Sequence, residues 1–187
     1  NASGSWVDMI VSGINLLDDD DIAGVLMTAR DITDLRQAER LASSQSEVLE
    51  LIARGAPLAE ILERCVALVE ENGVGGRSSV YLLEEERLEM RAGRAPAALN
   101  DWMRDPPRTP PRCVCDVALI SGERALMPDV ADAGMHDELR ALAQELGIRA
   151  AYSQPVHSAG TGEAVGTLST IYDHPHVPTD HEILVIE

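Results

Sequence analysis

No lysine occurs anywhere in the 187-residue chain; all of its 15 basic residues are arginine. Without a lysine amine there is neither a Schiff-base nucleophile nor a P-loop, which removes two large enzyme classes. Cysteine is scarce too. Cys65, Cys113 and Cys115 are too few and too unevenly spaced for the disulfide framework of a small secreted domain, so the cytoplasm is the expected compartment. Long apolar runs are missing: nothing approaches the roughly 18 residues that cross a bilayer. The opening "NASGSWVDMI" has neither the basic start nor the apolar stretch of a signal peptide. Positive charge is short overall, with 32 acidic residues against 15 basic ones and a net charge of −17. Such a surface repels phosphate backbones, and neither nucleic acid nor membrane is expected as a partner.

The patterning that is present is mixed α and β. "SWVDMIVSGINLL" and "GVLMTAR", separated by the acidic turn "DDDDIAG", predict a hairpin. An isolated hairpin is marginal in water, so the chain is expected to begin inside a domain. Thr33 predicts an N-cap, with Asp34 in the first helical turn. Beyond it Leu35, Ala38, Ala42, Gln45, Leu49 and Ile52 recur in steps of three and four, the seam of a coiled coil and hence of a homodimer. The alternative is an amphipathic helix lying on its own domain. Gly55 and Pro57 close that helix and open another, with Leu58, Ile61, Leu62, Cys65, Val66 and Val69 on one face. Cys65 therefore reads as a small core residue. "SSVYLL" and "RLEMRAG" predict a hairpin, Ala97 to Met103 a helix, "CDVALISGE" a short helix ending at glycine, and "RALMPDV" a strand running into a turn. "MHDELRALAQELG" predicts a helix with Leu139, Leu142 and Leu146 inward. "RAAYSQPVHS" with "AVGTLSTIYD" predicts the last hairpin, before a terminal helix capped by Thr179 or Asp180.

Two resemblances follow from these elements. Residues 3–33, "GSWVDMIVSGINLLDDDDIAGVLMTARDIT", resemble the closing strands of a PAS domain, whose end often carries the Asp-Ile-Thr triplet seen here as Asp31, Ile32 and Thr33. From about residue 46 to 187 the chain resembles a GAF domain, through "LIARGAPLAEIL", "SSVYLL", "SGERALMPDV", "GIRAAYSQPVHS" and "AVGTLSTIYDHPHVPTDHE" in that order. The resemblance implies an α+β fold: an antiparallel sheet of about six strands with helices on both faces, preceded here by the hairpin and by a linker helix over residues 34–54. It also implies a sensory, non-catalytic module of a signal-transduction protein. Such a module binds a small molecule or dimerises, and passes its state to a C-terminal effector such as a cyclase, phosphodiesterase, phosphatase or histidine kinase. None of these effectors is in the sequence, and no cofactor is implied.

The pocket implied by the resemblance draws on Tyr81, Cys115, Asp129, His136, Tyr152, Ser153 and Thr170. Around Cys115 the sequence reads "PPRCVCDVA", with arginine and proline where relatives carry glycine. Proline removes backbone donors, so an amide cradle for an anion is not expected there; Arg108 and Arg112 read as residues of a solvated loop, the alternative being charged clamps that replace the cradle. One enzyme of this fold, the free methionine sulfoxide reductase, uses cysteines to attack a sulfoxide. Cys115 and "MPDV" match it, but the following "ADAGMHDELR" lacks the thiol that enzyme needs. Cys113 and Cys115, two apart on an extended segment, have a poor geometry for an internal disulfide, and redox sensing through these thiols stays open as an alternative. His174, His176 and His181 with Asp173 and Asp180 offer metal-ligand chemistry, yet they fall on a proline-shaped loop, and no metal is assigned. A ligand-free dimerisation scaffold is the remaining alternative.

Overall fold

The computed structural model describes residues 7–73, 75–104, 110–131 and 136–187, and Arg108 lies outside them. The described residues form seven strands and six helices, and the boundary between two compact units falls between Ser44 and Gln45.

In the first unit β1 (Met9–Leu16) and β2 (Gly24–Asp31) pair antiparallel, from Met9 opposite Asp31 to Leu16 opposite Gly24. The acidic turn closes on itself, because Asp19 Oδ1 accepts the amides of Asp21 and Ile22. Adjacent strand residues point to opposite faces, and here both faces are bare: Ile10, Val11, Ile14, Val25, Leu26 and Met27 are each more than half exposed.

The passage from β2 into helix α1 (Thr33–Ala53) needs no loop, since short polar groups satisfy the free helix amides. Asp31 Oδ1 accepts the Thr33 amide at 2.9 Å and the Thr33 hydroxyl at 2.7 Å. Thr33 Oγ1 in turn accepts the Asp8 amide at 3.0 Å, and the Ile32 amide donates to the Asp8 carbonyl. Thr33 is thus the first helical residue and not the N-cap; the carboxylate that binds its amide is Asp31, two residues earlier in the same triplet. Those two bonds hold the Asp31 carboxyl below its ordinary range. No glycine or proline interrupts the 21 residues of α1. Leu35, Ala38, Ala42, Gln45, Leu49 and Ile52 all lie exposed, whereas Leu41 and Ser44 are buried and Gln37, Val48 and Leu51 half-buried. Both rows advance by three and four residues, about a third of a turn apart on the helix.

The second unit starts within α1, at Gln45, and continues with α2 (Leu58–Glu71), β3 (Arg77–Glu84), β4 (Arg87–Gly93), α3 (Ala97–Arg104), α4 (Val114–Ser121), β5 (Ala125–Met127), α5 (Asp137–Glu145), β6 (Ala150–His157), β7 (Ala164–Tyr172) and α6 (Asp180–Ile186). Its five strands form one antiparallel sheet in the order β4-β3-β7-β6-β5. Strand alternation divides the core in two. Val80 and Ala92 meet Val66 of α2 on one face, while Tyr81 and Leu88 meet Met103, Cys115, Ala118 and Leu139 on the other. Cys65, on α2, is half-buried. Gly166 permits the close approach of β7 to β3, because a Cβ there would run into the Tyr81 carbonyl. Thr179 caps α6 through a reciprocal box: its hydroxyl accepts the Glu182 amide, and its own amide donates to the Glu182 carboxylate.

Candidate functional site

Between the Tyr81 face of the sheet and the layer of α3, α4 and α5 lies a cavity lined mainly by apolar side chains. About 60 Å³ of it admits the centre of a water molecule. That is room for a few waters or a guest of a few heavy atoms. Leu99 and Met103 come from α3, Val114 and Cys115 from α4, Leu139 and Ala143 from α5; Ser79, Tyr81, Ala151 and Ser169 come from the sheet.

Most of the polar atoms here already have partners. Ser79 Oγ accepts the amides of Arg94 and Ala95 and donates to the Ser78 carbonyl, which fixes the start of α3. The Tyr81 hydroxyl donates to Asn100 Oδ1 at 2.8 Å, and burial keeps the phenol protonated well above its usual range. The remaining polar edge is a chain of hydroxyls behind a thiol. Cys115 Sγ lies 3.1 Å from Ser169 Oγ, which contacts Ser153 Oγ at 2.9 Å and Thr167 Oγ1 at 3.3 Å.

Helix α4 brings a second thiol to this edge. Cys113 is its N-cap, extended at φ −143° and ψ 171°, and the chain turns helical at Val114. The change of direction brings Cys113 and Cys115 into one buried cluster and onto the wall of the same cavity, both as free thiols. The Cys113 thiol also donates to Met103 Sδ at 3.7 Å. The neighbouring Cys113 and the three hydroxyls outweigh burial and draw the Cys115 thiol below the ordinary thiol value, whereas the neighbouring Cys115 and burial push Cys113 well above it. Arg112 is no solvated-loop residue either: its guanidinium sits 4.3 Å over the Trp102 ring, and its amide donates to the buried Asp116 carboxylate at 3.1 Å.

Of the seven pocket residues expected from the sequence, Tyr81 and Cys115 line the cavity and Ser153 backs it through Ser169. The other four are elsewhere. Tyr152 and Thr170 pair across β6 and β7 on the α2 face of the sheet, where Thr170 Oγ1 bonds Ser78 Oγ and the Tyr152 hydroxyl donates to Gln154. Neighbouring strand residues point to opposite faces, so Tyr152 and Ser153 cannot both face one cavity, and Ser169 is the inward neighbour of Thr170. Asp129 accepts the Ala131 amide and pairs with Arg149 at 3.0 Å, outside the cavity. His136 is the exposed N-cap residue of α5. Cys113, Met103 and Ser169 went unrecognised as lining residues. The spacing of Met103 and Ser169 carries no signal for this, but Cys113 stood two residues from a candidate already named.

The His174 and His176 rings meet edge to face at 5.5 Å, but each of the three histidines has its own polar partner. His174 contacts Asp173, His176 contacts Glu182 at 3.0 Å, and His181 contacts the Asn72 carbonyl at 3.1 Å. Among the described residues, no group of three or more His, Cys, Asp or Glu is arranged to hold a metal ion. Nor is any helix among them long and apolar enough to cross a membrane.

An antiparallel sheet carrying helices on both faces and a cavity beneath one helical layer matches a known class of domain. Residues 57–187 match the GAF domain family, and the chain belongs to it. It is 29% identical over 167 residues to the methyl sulfide methyltransferase-associated sensor of Methanosarcina acetivorans, covering 86% of this chain and 16% of that protein. The chain therefore spans about one sixth of the length of the curated relative it matches. A solved GAF domain superposes with a TM-score of 0.62 at 14% identity, covering 80% of this chain and 82% of the other. The free methionine-R-sulfoxide reductase of Neisseria meningitidis, solved with its substrate, superposes with a TM-score of 0.61 at 21% identity, covering 80% of each chain.

Proposed function

We propose that this chain is a non-catalytic sensory module: residues 3–33 are the end of a PAS domain, residues 34–54 a coupling helix, and residues 46–187 a GAF domain. The module forms a parallel homodimer along Leu35, Ala38, Ala42, Gln45, Leu49 and Ile52, and takes a small molecule into the cavity beneath α3 and α4. Occupation of the cavity biases the packing of the paired helices, which act as a two-state element read by a C-terminal effector. The observation that carries this reading is the unbroken helix α1, whose apolar row stays exposed although it leads into a domain with a cavity. The name and much greater length of the Methanosarcina sensor support it. The bare apolar faces of the β1–β2 hairpin support a PAS origin, as strands made to lie within a larger sheet.

Cys115 in the cavity favours a second reading, a thiol enzyme related to the sulfoxide reductases. Against it stands the stretch that follows "MPDV", Ala131 to Arg140, which carries no cysteine. Native mass spectrometry of the chain tests the first reading. The expected result is a dimer carrying a small molecule that is lost when Ala151→Met fills the cavity; a monomer without a guest contradicts it. Turnover of a small sulfoxide that disappears in Cys115→Ser would establish the second instead.

A further inference from the structure

We propose that the sulfur cluster at the N-terminus of α4 is a binding site for a soft monovalent metal ion, Cu(I), held by Cys113, Cys115 and Met103. This rests on the reading of the cavity as the module's ligand site and names a class of ligand for it.

Three sulfur atoms from two helices meet at one wall of the cavity. The Cys113 thiol donates to the Met103 thioether, Cys115 is the second residue of α4 in the same buried cluster, and all three residues line the cavity. A metal–sulfur bond of about 2.3 Å requires sulfur atoms about 3.8–4.0 Å apart in tetrahedral or trigonal arrangement. The Cys113–Met103 separation of 3.7 Å is already close to that edge, so binding needs little movement of the helices. Thioether and thiolate donors together select Cu(I) among the biological metals. Among the described residues, no histidine or carboxylate lines the cavity, so the metal donors on its wall are sulfur atoms and hydroxyls. Ser169, hydrogen-bonded to Cys115 and to two further hydroxyls, supplies the outer contact that orients a coordinating thiolate. Each thiol that becomes a ligand releases its proton to solvent, and the ion enters and stays as Cu(I), so no oxidant or reductant is consumed. The third cysteine, Cys65, belongs to α2 and takes no part.

The test is an anaerobic titration of the whole chain with Cu(I) in competition with bathocuproine disulfonate, followed by X-ray absorption of the loaded protein. One Cu(I) per chain is expected, with sulfur neighbours only at about 2.3 Å. Cys113→Ser and Cys115→Ser should each weaken retention about 100-fold or more, and Met103→Leu, which conserves volume, about 10-fold. Cys65→Ser should leave retention unchanged. The proposal is overturned if the wild-type chain yields all copper to the competitor, if nitrogen or oxygen neighbours dominate, or if Met103→Leu and the two serine variants, each with a wild-type circular dichroism spectrum, bind as the wild type does. Failure here alongside a dimer carrying an organic guest would remove only the metal; a guest-free monomer would remove the sensory reading as well.

Discussion

Replacing Leu49 by alanine separates the stability of the chain from its self-association. Leu49 is 64% exposed in the single chain, and fully burying a leucine side chain is worth about 1.5–3 kcal/mol. Covering the exposed part in a dimer therefore contributes about 1–2 kcal/mol per copy, or about 2–4 kcal/mol for the pair. Leu49→Ala removes most of this, which corresponds to a dimer dissociation constant raised about 30- to 900-fold. Folding of the single chain should change by no more than about 0.5 kcal/mol, since the side chain is exposed and alanine favours helix. Leu41→Ala supplies the contrast: Leu41 is buried, and its truncation should lower stability by about 2–5 kcal/mol. Sedimentation equilibrium read beside urea denaturation resolves the two effects. Ionic strength must be held near physiological, because two copies each of net charge −17 repel less when screened. A wild-type chain that stays monomeric at tens of micromolar, or a Leu49→Ala chain that associates as tightly as the wild type, would refute the argument.

Three further outcomes follow from the local chemistry. Because the native Asp31 carboxyl ionises more readily than its ordinary value of 3.8, its support for the start of α1 is complete above that value. It is lost as pH falls through the lower native value, so amide exchange at Thr33 should rise on acidification, and Asp31→Asn should abolish that dependence. Thr179→Ala removes half of the α6 capping box and should cost about 0.5–2 kcal/mol in urea denaturation, with fraying confined to α6 in hydrogen exchange. Gly166→Ala drives a methyl group into the Tyr81 carbonyl and should cost about 1–3 kcal/mol or more, measured by thermal melting.

The elements were legible in the sequence because their signals are local. Gly122 ends α4 in the left-handed conformation expected of a glycine C-cap, and the two glutamates at the β3–β4 turn take the positive φ that so tight a connection demands. Thr179 closes a box whose partner, Glu182, stands three residues on. The cavity was legible only in part. Its lining follows strand register, and a one-residue error in choosing the inward side moved Tyr152 and Thr170 to the wrong face. The gathering of Cys113 and Cys115 on one cavity wall depends on where an extended segment becomes helix, a boundary placed only by the backbone around Val114. Arg112 was read as solvated because its partners, Trp102 and Asp116, flank a proline-rich stretch whose path the sequence does not encode locally. On α1 the exposed row was visible in the heptad steps, but the parallel row through Leu41 and Ser44 was not, since serine gives no apolar signal.

The most direct measurement on the proposed relay is a cross-link across the paired helices. A parallel dimer places each Leu49 beside its copy, within the separation of about 4.4–6.8 Å between α-carbons that a disulfide accepts. With Cys65→Ser to remove the half-buried thiol, Leu49→Cys should give disulfide-linked dimers under mild oxidation in high yield, while Ser43→Cys, exposed on another side of the helix, should not. Equal cross-linking at both positions, or none at Leu49→Cys, would contradict a helix that carries its signal through a twin.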